Sequence, residues 1–494
     1  MKLNILDRFM LSAMPRYGLA RLQAKRAAQV LAASGGYEAA GKGPRWFRGS
    51  GTSQNFEARK SLVHLRNAAR ELERNNSYVA SATQVVVTNT IGAGIKPVAK
   101  HPTSKRKASL ANDLMRDWAS SCGCDYTGKN NLYGMQALAL RTESLSGESL
   151  TVRRTVNDKN LPIPLQLEVL EPDFIDHNKD FVSANNRVVQ GVGIVGGSPR
   201  SYWLYPSHPG DMGATLSDSK ETSADLVAHL YEVLRPGQVR GIPRGVSAYT
   251  RLKKLDDFQD ARIEQQIWAA AMAAFVTSDD PDDASEILPD KLEAGMIGKL
   301  KGGESIHFNN PPSVSDHASF VMPEQRIIAA AWGITYESLT GDYSGVNFAS
   351  GKMGRIQMFA NIHRWRYNMF IPQHCKKIEG WFLQAAKIQG YDLEGVSFDW
   401  TPPKKEILDA KNELPAIINE VRSGLNSWQN ACRERGIDPV QLAKELKEDN
   451  ELFDSNHFVL DIDARRTTNS GQLQSVGDGE PNTSKNSNGD SDDD

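Results

Sequence analysis

IIAAAWGITYESLTGDYSGVNFAS, residues Ile327–Ser350, decides how the rest of this chain is read. An apolar run, helical in character, stops near Gly333 and opens into LTGDYSGVN, after which helical patterning returns. Gly341, Gly345 and Gly351 allow the intervening loop backbone angles closed to other residues. The segment therefore reads as a glycine-rich loop held between two helices.

Working downstream, Met353, Ile356, Phe359, Ile362, Trp365 and Met369 keep helical spacing. Ile378, Trp381, Phe382 and Ala385 extend the pattern beyond Pro372, where a kink is expected. Upstream, Leu252–Val276 reads as one long helix, with Leu255, Phe258, Arg262, Ile267 and Ala271 near one line and Asp256, Asp257, Asp260 and Glu264 offset from it. Between that helix and the loop, Asp279–Asp316 is rich in Pro, Gly and Asp, with Ser305–Phe308 as a possible strand; it reads as a small projecting insertion. Helical pattern resumes by Glu324.

Further out, Leu62, Leu65, Ala69 and Leu72 define an amphipathic helix over Phe56–Asn75. Ser77 is expected to cap a second helix through Val87, and Leu114–Ser120 a third. From Ser149 to Leu234, Leu165, Leu167 and Val169 alternate with Gln166 and Glu168, which marks a strand-rich module. Near the C-terminus, helices are expected over Lys404–Arg422, Trp428–Arg435 and Pro439–Lys447, with Ser427 and Asp438 as caps and Gly436 as a stop. Beyond Ile462 the composition of Ser, Asn, Gly and Asp is that of a disordered acidic tail.

At 494 residues the chain exceeds what one core normally holds, so two or three modules are expected. Lys plus Arg number 58 against 60 for Asp plus Glu, a formal net charge of -2, so no global phosphate-binding field exists. That balance argues against a sequence-specific DNA-binding module. Four cysteines are too few for a disulfide framework, no run has the apolar length of a membrane span, and Met1–Ala33 is basic without the apolar core of a secretory signal.

The chemical motifs fail on inspection. Gly36, Gly41 and Lys42 match a phosphate-binding loop, but Gly43 stands where its Ser or Thr is needed. Gly191, Gly193 and Gly196 fit a dinucleotide fingerprint, yet Ser198 and Pro199 follow where a helix must begin, so a β-turn is the better reading. Cys122 and Cys124 lack a second ligand pair, Cys375 with His374 is isolated, and no G-x-S-x-G elbow occurs. No catalytic residue, metal ligand or cofactor is expected; the alternative is a hydrolase or ATPase built from dispersed carboxylates.

Several separated segments resemble the lambda-like phage portal family: Leu72–Asn76, Asn89–Ile95, Leu170–Asp176, Leu234–Gly241 reading LRPGQVRG, and above all Ile327–Ser350. The resemblance spans Tyr37–Leu446, with Arg244 where the family often has an aromatic residue and FASGK at Phe348–Lys352 in place of a serine-rich form. It implies an α+β, mainly helical portal fold with wing, stem, clip and crown parts, assembled as a cyclic homododecamer around an axial channel. On that plan residues 1–55 are a basic arm, 56–250 the wing, 251–276 a stem helix, 277–318 the clip and 319–335 the returning stem helix. Residues 336–351 are then the tunnel loop, 352–400 the long wing helix with a following strand, 401–461 the crown and 462–494 the tail. The implied function is a non-enzymatic head-tail connector at one capsid vertex, conducting double-stranded DNA in packaging and ejection. The implied partners are the large terminase subunit, the major capsid and scaffold proteins and the head-tail completion protein, with no membrane. The implied location is the virion, preceded by the host cytoplasm.

A conduit must surround DNA without holding it, because each phosphate neutralised by Lys or Arg adds affinity that opposes sliding. In the LTGDYSGVN stretch of the expected tunnel loop, Asp342 is the single acid, with Lys352 the base near the loop's end, while Tyr343, Ser344, Asn347 and Phe348 offer polar and aromatic contacts that touch a backbone without reading bases. On the expected stem helix, Lys253, Lys254, Asp257 and Arg262 are the corresponding charged residues. The lack of a credible nucleotide site places the packaging motor on another protein.

Overall fold

Asn76 shows how local chemistry sets the architecture. In the computed structural model, its backbone N–H closes the first helix, α1 (Gln54–Asn75), on Leu72 O, and its side chain opens the second, α2 (Ser77–Thr90), accepting from Tyr78 N and Val79 N. Its amide also donates to Asp256, 2.8 Å away. The cap of α2 is thus Asn76 and not Ser77, which is already helical. The structure describes residues 51–155, 161–182, 187–211, 218–271, 274–278, 304–308, 317–403 and 409–458. The basic arm up to residue 50, the failed phosphate loop at Gly36–Gly43, most of the expected clip and the acidic tail lie outside them.

The chain divides into two units, Met1–Pro403 and Lys404–Asp494. In the first, Ala58, Leu62, Leu65 and Ala69 form the buried stripe of α1, as their spacing requires. After β1 (Lys96–Lys100) comes α3 (Lys105–Ser120), nine residues longer at its start than expected because Ser104 caps it by accepting from Lys107 N. The next helix, α4 (Leu132–Ser146), ends on Gly147 at φ +85°. It buries Gln136 and Glu143 along with its apolar residues.

β2 (Glu148–Thr155) pairs antiparallel with β3 (Leu165–Leu170) on one side and with β9 (Val227–Tyr231) on the other. Between them in sequence, β4 (Phe181–Val182), β5 (Arg187–Val189), β6 (Val192–Val195), β7 (Ser198–Leu204) and β8 (Lys220–Ser223) form a second antiparallel sheet in sequential order. Gly196 and Gly197, both at positive φ, turn β6 into β7, while Gly191 lies in the β5–β6 turn and Gly193 in β6, so the glycines that mimic a dinucleotide fingerprint belong to consecutive hairpins.

Helix α5 (Tyr249–Ala271) stops short of the expected Val276, which lies instead in β10 (Ala274–Ser278), paired antiparallel with β11 (Glu304–Phe308). The run Phe275, Val276, Thr277 favours strand by its β-branched and aromatic content. The returning helix α6 (His317–Trp332) starts earlier than Glu324 and carries Pro323 inside it. A one-turn helix, α7 (Tyr336–Thr340), precedes α8 (Phe348–Trp365).

Where Pro372 was expected to kink the long element, the structure has a ten-residue π-helical segment, Arg366–Cys375, running without interruption into α9 (Lys376–Ile388). Wide i to i+5 turns tolerate the N–H that proline lacks. Buried Arg366 donates to Thr90 O (2.8 Å) and Asn89 O (2.7 Å), placing a cation on the end of α2; burial lowers its pKa to about 10. In the core Phe382 meets Phe398 edge to face and Trp118 at a tilt, and β12 (Ser397–Thr401) pairs with β1. Each fully buried side chain of this kind contributes roughly 1.5–3 kcal/mol.

In the second unit, α10 (Ala410–Arg422), α11 (Trp428–Glu434) and α12 (Pro439–Ser455) are capped by Asp409, Ser427 and Asp438. Gly436 at φ +68° follows α11, and α12 runs eight residues beyond the expected Lys447. No described helix of the chain is long and apolar enough to cross a membrane.

Candidate nucleic-acid interface

The loop singled out in the sequence is pinned at both ends. On the entry side, Thr335 Oγ1 accepts from Ser338 N (3.2 Å), Leu339 is buried, and Ser81 Oγ donates to Leu339 O at 2.7 Å, fixing α7 against α2. Gly341, at φ +72°, returns its N–H to Glu337 O and turns the chain outward. On the exit side, Asn347 and Ser350 form a reciprocal capping box that starts α8. The loop proper is therefore Gly341–Val346, shorter than the expected 336–351, since α7 occupies one end and α8 the other.

Asp342 organises the interior of this loop. Its carboxylate accepts from Ser344 Oγ (2.6 Å), Ser344 N (3.0 Å) and Tyr336 Oη (2.9 Å). These bonds, led by the Ser344 hydroxyl, hold its pKa below the usual carboxylate range. A carboxylate engaged this way stays ionised and shapes the loop. Tyr343 and Phe348 are 64% and 60% exposed, so aromatic faces project from either end of the turn. Lys352 lies on α8, its ammonium 5.9 Å from the centre of the Phe348 ring. The structure brings Asp342, Tyr343 and Ser344 together on the loop, makes Asn347 the cap of α8, and puts Phe348 and Lys352 on the first turns of that helix.

The four charged residues expected on the stem helix do lie on α5. Lys253 pairs with Asp257 at 3.1 Å, and Arg262 donates to Gln265 Oε1 at 2.8 Å. Those bonds stay within α5, and Lys253 and Asp257 are largely exposed.

Sequence reasoning missed the buried ion pairs beneath the sheet module. Glu148 is fully buried and accepts from Arg240 Nη2 (2.6 Å), Arg240 Nε (2.9 Å), His229 Nε2 (2.9 Å) and Gly241 N (2.9 Å). Burial alone would raise its pKa, but Arg240, His229 and Arg66 overcome that and depress it strongly. Glu143 has one close cation, Arg244, at 3.0 Å; there burial prevails and its pKa rises.

These pairs explain the LRPGQVRG segment. Gln238 Oε1 accepts from Leu234 N and Arg235 N to close the turn at Gly237, and Arg235 reaches Glu57 (3.0 Å) and Thr52 O (3.1 Å) on the approach to α1. Val239 N donates to Asn55, Arg240 pairs with Glu148, and Gly241 passes so near Gly147 that a Cβ would lie 1.9 Å from its carbonyl oxygen. The segment is a clasp between α1 and the sheet, and its signal in the sequence was the paired Arg with flanking Gly.

Glu171, Asp173 and His208 lie close enough together to suggest a metal site. Arg70 already pairs with both carboxylates and Arg66 lies 3.7 Å from Asp173, so the group is an ion-pair cluster with its cations in place. Cys124 is buried with its thiol pKa pushed up to about 12, and Cys375 is buried and shifted the same way, so neither is poised as a thiolate.

Comparison with known proteins gives consistent results. The portal protein of Escherichia phage N15 is 20% identical over 440 residues, covering 77% of this chain and 82% of that one. A probable portal protein of Halomonas phage phiHAP-1 is 26% identical over 428 residues, covering 79% of this chain and 80% of its own. Among solved structures, the neck of a native GTA particle computed with C12 symmetry aligns with a TM-score of 0.46 at 14% identity, over 77% of this chain and 94% of that one. The family described as phage portal protein, lambda family, matches residues 42–366. With its α+β architecture, its loop between two anchored helices and that match over most of its length, the chain belongs to the lambda family of phage portal proteins.

Proposed function

We propose that the chain is a subunit of a closed dodecameric ring at one capsid vertex, through which double-stranded DNA passes without sequence specificity in packaging and ejection. The observation that carries this reading is the Gly341–Val346 loop, fixed at both ends and presenting neutral polar and aromatic groups around a carboxylate already engaged by hydrogen bonds. Contacts of that kind position a duplex without the cumulative phosphate neutralisation that would arrest it. Residues 251–271 and 317–335 serve as stem, the connection between them as clip, residues 56–250 and 352–400 as wing, and the C-terminal helices as crown. The large terminase subunit docks at the clip during packaging and the head-tail completion protein follows; capsid and scaffold proteins surround the ring in the virion. The ring carries no catalytic activity of its own.

Ring closure requires heterologous interfaces, and large apolar side chains lie more than half exposed on two long helices: Ile263 and Ile267 on α5, Met353 and Ile356 on α8. Mass photometry with negative-stain imaging tests the reading. Rings with an axial hole wide enough for a duplex are expected from the full chain, and Ile356→Glu should yield folded, unassembled subunits. A monomer at every concentration and salt would overturn it.

A further inference from the structure

Two hydroxyls on neighbouring turns of α2 reach different parts of the chain. Ser81 Oγ donates to Leu339 O at 2.7 Å, the bond that fixes α7 at the entrance of the loop. Tyr78 Oη accepts from Gln325 Nε2 on α6 at 2.8 Å and lies 3.5 Å from Gln259 Nε2 on α5. At the N-cap of the same helix, the Asn76 amide donates to both carboxylate oxygens of Asp256 on α5, at 2.8 and 3.0 Å. Residues three apart share a helix face, so one short face at the start of α2 holds both long helices and the loop.

This face can serve as a fixed point because the rest of α2 is embedded. Val79, Ala82 and Val86 are at most 1% exposed, and Arg366 binds the carbonyls at the other end. On α5, Leu252 and Leu255 are buried, whereas Ile263 and Ile267 are 58% and 61% exposed. On α6, Phe320 is half-exposed and Ile328, one turn beyond Gln325, is fully buried. The bonds to Asp256, Gln259 and Gln325 therefore sit where the two helices leave the core, and Phe258 and Phe320 join the pair there with ring centres 4.6 Å apart.

We propose that Tyr78 and Ser81 are positioning residues for the Gly341–Val346 loop, coupling its place to that of the α5–α6 pair. That the loop meets DNA rests on the conduit reading above; the coupling itself does not. Tyr78 registers the helix pair against α2, and Ser81 registers the loop against the same helix. Packed elements shift as bodies, so a displacement at one seat alters the hydrogen-bond geometry at the other. A second route bypasses α2: α6 runs into α7 through residues 333–335, and the Arg326 guanidinium lies 5.6 Å from the centre of the Tyr336 ring, whose hydroxyl holds Asp342. Removing the Tyr78 hydroxyl breaks the first route and leaves the second in place.

Hydrogen exchange of the full chain, read by mass spectrometry, tests the coupling. Ser81→Ala should quicken exchange over Gly341–Val346 about tenfold, and Tyr78→Phe, which alters no group bonded to the loop, about threefold. The double variant should exchange no faster than Ser81→Ala, because both changes act through one bond. Melting temperature and exchange across α9 should stay at parent values, which a general loss of packing would not allow. Lys253→Ala, whose ion pair stays within α5, is the control and should leave the loop unchanged. A loop indifferent to Tyr78→Phe would assign its placement to α6 and Arg326 alone and overturn the proposal. So would a double variant whose two effects multiply, or a response of the loop to Lys253→Ala. The measurement contains no DNA and needs no ring, so its failure is distinct from a failure of the conduit reading.

Discussion

The guanidinium of Arg244 lies 4.3 Å from the centre of the Trp365 ring while its other edge binds Glu143, 101 residues earlier in the chain. One side chain thus joins α4, the segment after the clasp, and the end of α8. Removing it strands a buried carboxylate, so Arg244→Met is expected to cost about 3–5 kcal/mol. The double variant Arg244→Met, Glu143→Leu should recover most of that loss, because Glu232, the other carboxylate near Arg244, keeps Arg364 as its partner. Urea denaturation of the two variants decides it; equal losses would refute the assignment.

His374 is buried in the π-helical segment, its Nε2 3.1 Å from Thr151 Oγ1, and burial drives its pKa down to about 3. As pH falls below the unfolded value near 6.5, the unfolded chain takes up the proton first. The stability associated with neutral His374 is therefore complete above that pH and is lost toward pH 3, at about 1.4 kcal/mol per pH unit. His229 is shifted in the same direction by burial and adds to the slope. His374→Leu should flatten part of the decline in denaturation midpoint between pH 7 and 4.5, and an unchanged slope would count against this account.

Gly241→Ala should be among the most damaging single-methyl changes in the chain. Its Cβ would meet Gly147 O at 1.9 Å and Glu148 Cβ at 2.8 Å, and the nearer obstacle is backbone. A loss of about 3 kcal/mol or more and poor soluble yield are expected. Gly380→Ala is the control: it lies within α9 with nothing near its new methyl, so a gain of roughly 0.5–1 kcal/mol is expected there. Thermal melts of the pair should move in opposite directions.

Asp342→Ala should loosen the loop and leave the fold intact. Chymotrypsin cleavage after Tyr343 is expected to rise about tenfold as the loop opens more often, with the melting temperature of the chain little changed. Because its carboxyl is held below the ordinary range, loop order in the parent protein is complete above about pH 4 and is lost as pH falls further. The variant should lack that acid dependence.

The elements most legible in the sequence are those with one wet face and one dry one. Leu62, Leu65 and Ala69 announced α1 because polar residues separate them. Helix α4 gave no such contrast, since Gln136 is buried to bond Ile95 N and O, and Glu143 is buried to bind Arg244. A helix that buries polar side chains and exposes Leu138 has no period to detect. The loop was legible in composition but not in extent, because α7 and the first turn of α8 depend on Thr335 and Asn347 as caps, and either residue is equally at home in a loop. The pairing of Glu148 with Arg240 spans 92 residues and leaves no local trace.

The wide turns around Pro372 bear on how this chain tolerates changes in length. Adding or deleting one residue in an α-helix rotates everything downstream by about 100°, which would swing Trp381 and Phe382 out of register with the core. A π turn is the form a helix takes when it has absorbed an extra residue without passing that rotation on. A one-residue change of length in α8 would be taken up within Arg366–Cys375, leaving α9 keyed to the same aromatic neighbours.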